Sequence, residues 1–182
     1  IKSYYTLVYA GTQPRRLLED FPSQQFNHVI LTVPLGPDTI WLENTNNTSP
    51  AGYVGTFIQN RSALLIDDQE SKIIRLPSLQ VQEALEAKHI DFVLQRDMNS
   101  EIKMRITYRG LGFDRLNALH NQYNLEDQDQ ILRKILPFPN YDLKEWKLVQ
   151  RDRDSSAITF VSDLSLKNIL QKAVEEYYFA LV

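Results

Sequence analysis

The stretch "FNHVILTVPLGPDTIWLE", residues 26–43, decides how the first half of this chain folds. Two apolar, β-branched runs flank "PLGP", a cluster of turn residues, which predicts strands over residues 26–33 and 39–43 joined as a hairpin. If residues 34–37 form a four-residue loop, Val33 faces Asp38, paired positions sum to 71, and His28 falls opposite Glu43. Residues directly opposite in an antiparallel pair have Cβ atoms about 4.5 to 5.5 Å apart, which suits an imidazole and a carboxylate. The same register puts Phe26, His28, Ile30, Trp41 and Glu43 on one face and Val29, Leu31, Ile40 and Leu42 on the other. Both faces are largely apolar, so the hairpin is expected inside a larger sheet.

Working outward, residues 4–9 are aromatic and β-branched and stop at "AGTQP", the pattern of a strand. "PRRLLEDFPSQQ" reads as a connection with one helical turn. "ENTNNTSPAGYVGTF" is a turn-rich loop, and "SALLIDDQESKIIRLP" a strand pair around a polar turn. "SLQVQEALEAK" lacks strand alternation, and a domain boundary is placed there, around residues 78–88.

The second half opens with two alternating strands, "HIDFVLQR" and "EIKMRITYR", in which Ile90, Phe92 and Leu94, then Ile102, Met104, Ile106 and Tyr108, alternate and are all even-numbered. Their faces coincide only across a loop of odd length, for which "DMN" with Asn99 left-handed is the expectation. Phe113, Leu116, Leu119 and Tyr123, then Ile131, Leu132, Ile135 and Leu136, follow helical spacing, with Asn124 as N-cap of the second helix. "LKEWKLVQ" and "SAITFVSDL" return to strands around "RDRD". The last stretch fits a helix on spacing but also a hairpin of "LSLKNILQ" and "EEYYFAL".

Composition narrows the function classes. With 182 residues, 43% of them apolar, the chain can bury a core. Twenty basic against twenty-three acidic residues, with no dense basic cluster along an element, argue against nucleic acid. No run is long and apolar enough for a membrane span, and no export signal is visible. Zero cysteine excludes disulfides, thiolate metal sites and a thiol nucleophile within these residues. "IKSYYTLVYAG" reads as a strand already under way, so the sequence is expected to be a fragment. The compartment stays open, an exported or periplasmic protein included.

A histidine oriented by a carboxylate is two thirds of a nucleophilic triad. "FNHVI" followed closely by "WLENT", then "GY" and "RSALLI", is similar to the stretch around the catalytic histidine and acid of bacterial transglutaminase-like proteins, whose arrangement is the papain-type Cys-His-Asp. The resemblance implies an α+β chain: an antiparallel sheet from part of a transglutaminase-like core over residues 1–78, then a β-rich module over residues 88–182 with two short helices near 111–136. It favours the hairpin reading of the C-terminal stretch. It makes His28 the catalytic histidine and Glu43 the orienting acid, in a position that aspartate usually takes, with Asn27 and Trp41 as supporting residues. The family's cysteine lies on a helix N-terminus before the segment that starts here. The parent is therefore expected to be a multidomain bacterial protein acting on a protein or peptide by acyl transfer or hydrolysis. The chain alone would be inactive, with no cofactor or metal, and prone to self-association through a sheet face that lacks its covering helix. The alternative is a non-catalytic binding or scaffold module with a relic His/Glu pair.

Other signals are set aside. "DRDSSA" has the rhythm of a calcium loop, but Ala157 stands where the tight turn needs glycine. His89 and His120 have no metal-ligand spacing. The sequons at Asn46 and Asn60 are common by chance. Tyr4, Tyr5, Tyr9, Phe26 and Trp41 read as sheet packing before they read as a peptide groove.

Overall fold

The computed structural model describes residues 1–21, 23–95, 99–138, 140–167, 171–173 and 176–178, with backbone alone for 171–173, 176 and 177. These residues form an α+β chain of eleven strands and two α-helices. It divides into two compact units. The first holds Ile1–Leu85 together with two short returns, Arg109–Asp114 and Asp152–Ser156; the second holds Glu86–Tyr108, Arg115–Arg151 and the stretch from Ala157 on. The crossing at residue 85 falls within the stretch read as a boundary, whereas a simple two-segment division does not anticipate the returns.

The first unit is built on β1 (Tyr4–Val8), β2 (His28–Leu35), β3 (Asp38–Leu42), β4 (Ser62–Leu65) and β5 (Lys72–Arg75), in the order β3-β2-β1-β4-β5. Each neighbouring pair is antiparallel. Side chains alternate across the sheet. Val8, Ile30 and Ala63 point inward and close a core with Val54, Ile58 and Leu76. Thr6 and Thr32 are also buried, and their hydroxyls bond each other at 2.6 Å, which removes the cost of desolvating either one alone. On the outer face Tyr5, Val29, Ile40 and Ile73 are exposed and apolar, around half-buried Leu7, Leu31 and Leu64. β2 is internal as expected, but β3 is an edge strand.

The hairpin register differs from the expected one. Leu35 faces Asp38, Val33 faces Ile40 and Leu31 faces Leu42, so pairs sum to 73 and the turn is the two residues Gly36 and Pro37. Gly36, at φ +65°, adopts the left-handed backbone that a two-residue hairpin turn requires. Pro34, expected in the loop, lies in the strand opposite Thr39, beyond the point where β2 pairs with β1. Its missing N–H therefore interrupts no ladder on that side. A slip of two preserves parity, so every side chain keeps its expected face.

Among its described residues the connection after β1 contains no helical turn. Gln25 takes over its main chain instead: its amide oxygen accepts from Leu18 N and its Nε2 donates to the Leu18 and Phe21 carbonyls.

In the second unit β6 (Glu86–Leu94), β7 (Ser100–Arg109), β8 (Tyr141–Val149) and β9 (Ala157–Leu166) form a sheet in the order β6-β7-β9-β8. Ile90 faces Met104 and Phe92 faces Ile102, so the even-numbered faces coincide across an odd connection. That connection is five residues, closed by Gln95 N donating to Asn99 O, with its centre, residues 96–98, outside the described residues. The left-handed expectation for Asn99 turns on its link to residue 98 and lies outside the described residues. Helix α1 (Leu111–Gln122) buries Phe113, Leu116 and Leu119, and α2 (Leu125–Ile135) buries Leu132, as the spacing requires. Asn124 caps α2, its side chain accepting from Asp127 N at 2.9 Å. Asp129 on α2 accepts from Arg133 Nε and from Trp146 Nε1 of β8, each at 2.7 Å. These bonds, Arg133 first, hold its carboxyl below the usual carboxylate range. In the C-terminal stretch β10 (Gln171–Ala173) pairs antiparallel with β11 (Glu176–Tyr178), while residues 168–170, 174–175 and 179–182 lie outside the described residues.

Candidate active site

β2 begins at His28, which pairs with Val8 of β1. The β2–β3 ladder ends at Leu31 and Leu42, leaving Glu43 just past the end of β3 on the His28 face. In the observed register Glu43 is diagonal to His28 rather than opposite it. The contact forms nonetheless: His28 Nε2 and Glu43 Oε2 are 2.5 Å apart, and the two side chains are 15% and 2% exposed. Glutamate, one methylene longer than aspartate, spans this diagonal.

The rest of the site fixes these two groups. Glu43 Oε1 accepts from Thr45 N at 2.9 Å and from the Thr45 hydroxyl, so both carboxylate oxygens are held. The His28 ring meets Phe57 edge to face, with centroids 5.6 Å apart at 74°. Phe57 owes that position to Gly55. Gly55 has φ +72°, and a Cβ there would lie 2.5 Å from Phe57 Cε1. The loop is anchored in turn by Asp114, at the start of α1. Its Oδ2 accepts from Thr56 N at 2.8 Å and Thr56 Oγ1 at 2.6 Å, and its Oδ1 from Tyr53 OH at 2.7 Å. Burial first, and then the bond to Asp114, raise the Tyr53 phenol far above its ordinary value. The Tyr53 ring also packs edge to face on Phe113.

Of the four residues singled out from sequence, His28 and Glu43 are brought into direct contact. Asn27 does not touch the pair. Its side chain accepts from Ala10 N at 2.6 Å and donates to Ala10 O at 2.9 Å, prolonging the β1–β2 ladder one step beyond His28. Trp41 faces Thr32 and packs, half-buried, on the core cluster. Thr45 stood in the quoted "WLENT" without a role, and Phe57 and Gly55 carried no signal beyond a turn-rich loop.

Chemically, the carboxylate accepts, so the neutral imidazole carries its proton on Nε2 and presents a lone pair on Nδ1. Nδ1 has no hydrogen-bond partner among the described residues. His28 lines an open groove of about 890 Å³ with Tyr5, Leu7, Phe26, Asn44 and Leu64. Tyr5 and Phe26 thus belong to a groove after all, while Tyr4 and Trp41 are half-buried in the sheet. Ser23 also lines it, but its hydroxyl donates to Phe21 O.

The set-aside signals behave as surface features. Asp152 accepts from Asp154 N in an exposed turn, and among the described residues no three His, Cys, Asp or Glu groups cluster as metal ligands. His89 does have an acid, Asp91, two residues along the strand, but at 3.4 Å with both side chains exposed. His120 is exposed on α1. No protein-family model matches the chain, and no curated protein or solved structure matches it either.

Proposed function

We propose that this chain is the histidine–acid part of a transglutaminase-like cysteine enzyme, in which a segment outside this sequence supplies the nucleophile. The observation that carries the reading is His28 itself: one ring nitrogen is held by Glu43, and the other is unpartnered on a residue lining an open groove. In the proposed cycle His28 Nδ1 takes the thiol proton, and the thiolate attacks the acyl carbon of a glutamine side chain or peptide bond. His28 then returns the proton to the leaving amine. An incoming amine or a water molecule resolves the thioester. Glu43 keeps the Nε2–H tautomer and stabilises the imidazolium that forms on the way.

The test joins this chain to the segment that precedes Ile1 in its gene and exposes it to a thiol-directed acyl probe. Labelling should require a cysteine in that segment and should fall about a hundredfold or more in His28→Ala. An upstream segment with no cysteine, or labelling indifferent to His28, overturns the proposal. The zero cysteine count favours a second reading, a non-catalytic binding module with a relic pair. The same labelling experiment separates the two.

A further inference from the structure

Four arginines, Arg15, Arg16, Arg61 and Arg75, line one open cavity of about 1120 Å³ in the first unit, away from the His28 groove. Two acids, Glu19 and Asp20, line it as well, leaving an excess of two positive charges. None of these six residues takes part in an ion pair among the described residues. This is unusual for a chain with more acids than bases.

The state of each guanidinium sharpens the point. Arg61 is 8% exposed, and its bonds go to two main-chain carbonyls, Gly11 O and Gln13 O. A cation buried that deeply normally has an anion beside it, because carbonyl dipoles offset only part of its lost hydration. Arg75 is set at the cavity by neutral partners, Asn60 Oδ1 at 2.9 Å and Ser62 Oγ at 3.3 Å. Asn60 reaches it from a left-handed backbone, φ +52°, a conformation that asparagine tolerates better than most residues. Arg15 lies over the Tyr9 ring, and Arg16 has no bond to any described residue. The guanidinium groups of Arg15, Arg61 and Arg75 are thus positioned without being neutralised, and that of Arg16 is neither held nor neutralised by a described residue.

We propose that this cavity binds a small, doubly or more highly charged oxyanion carrying phosphate or carboxylate groups. Planar guanidinium forks match the paired oxygens of either group, and the excess charge of the lining matches a dianion. The proposal does not depend on the chemistry assigned to His28.

Calorimetric titration of the chain with inorganic pyrophosphate and, separately, with citrate tests it, at a constant ionic strength of about 0.15 M. Saturable binding at one site per chain is expected, and the tighter of the two identifies phosphoryl or carboxylate chemistry. Arg16→Gln should weaken binding by about tenfold, and Arg75→Gln by at least as much. Lys103→Gln, an exposed cation on β7, should leave it unchanged. Arg16 holds no other described residue, so its loss spares the fold, which circular dichroism verifies. Heats that never saturate, or equal affinity in Arg16→Gln and the parent, overturn the site.

Discussion

His28 Nε2 meets Glu43 Oε2 at 2.5 Å across a diagonal of the β2–β3 hairpin, two positions away from direct opposition. The contact survives the difference between a four-residue loop and the actual two-residue turn because both registers leave the residues on one face. Removing Glu43 should therefore do more than delete an ion pair. In Glu43→Ala, His28 loses its partner and the Thr45 amide and hydroxyl lose their acceptor, at a cost of about 2–4 kcal/mol. Glu43→Gln retains an oxygen for Thr45 and should cost about half as much. Urea unfolding in a Trp146→Phe background, with Trp41 fluorescence as reporter of the first unit, measures both. Equal costs for Ala and Gln would show that the Thr45 bonds contribute nothing.

Gly55 and Phe57 form a second coupled pair. Gly55→Ala meets a backbone penalty of about 1 kcal/mol for a non-glycine residue at positive φ. It also drives a Cβ into the Phe57 ring, which must move and release the edge of His28. The total cost should reach about 2–3 kcal/mol. With Phe57 shortened to alanine, the added cost of Gly55→Ala should fall back to the backbone term. Additive costs in the double variant would disconnect the two residues.

Tyr53 gives a pH signature. Its folded-state value is raised, so the native state holds the phenolic proton where the unfolded chain, titrating near 10, releases it. The stability it contributes is complete below that pH and is lost as pH rises above it, at up to about 1.4 kcal/mol per pH unit. Tyr53→Phe should cost about 1–2 kcal/mol at pH 8, where the bond to Asp114 is lost. Between pH 9 and 11 the gap between variant and parent should narrow. Parallel curves over that range would mean that Tyr53 titrates alike in both states.

What the sequence disclosed follows the range of each interaction. The helices and the Asn124 cap rest on residues within a turn or two of each other, and both are where the spacing put them. The His28–Glu43 contact was legible because parity is robust to small errors in loop length. Pro34 misled the loop length itself, since a proline two residues before a glycine reads as turn although this one sits in β2 where only β3 pairs with it. Phe57 and its anchor were hidden for a different reason. Asp114 fixes Thr56 and Tyr53 from 58 and 61 positions away, and no local pattern reports such a pairing. The arginine cavity is equally non-local, drawing on positions 15, 16, 61 and 75.

The outer face of the first sheet, opposite to the face that carries His28 and Glu43, offers a last expectation. Leu7, Val29, Leu31, Ile40 and Leu64 lie on that one face of adjacent strands, none of them fully buried. Apolar surface shared across neighbouring strands associates, and β3 and β5 add open edges to it. The isolated chain should therefore self-associate reversibly at micromolar to millimolar concentration. Sedimentation equilibrium should show a mass that rises with concentration. Val29→Lys places a charge at the centre of the face and should shift the association constant by about tenfold or more toward monomer. A monomer at all concentrations, or association unchanged by Val29→Lys, would remove this face from consideration as an association surface.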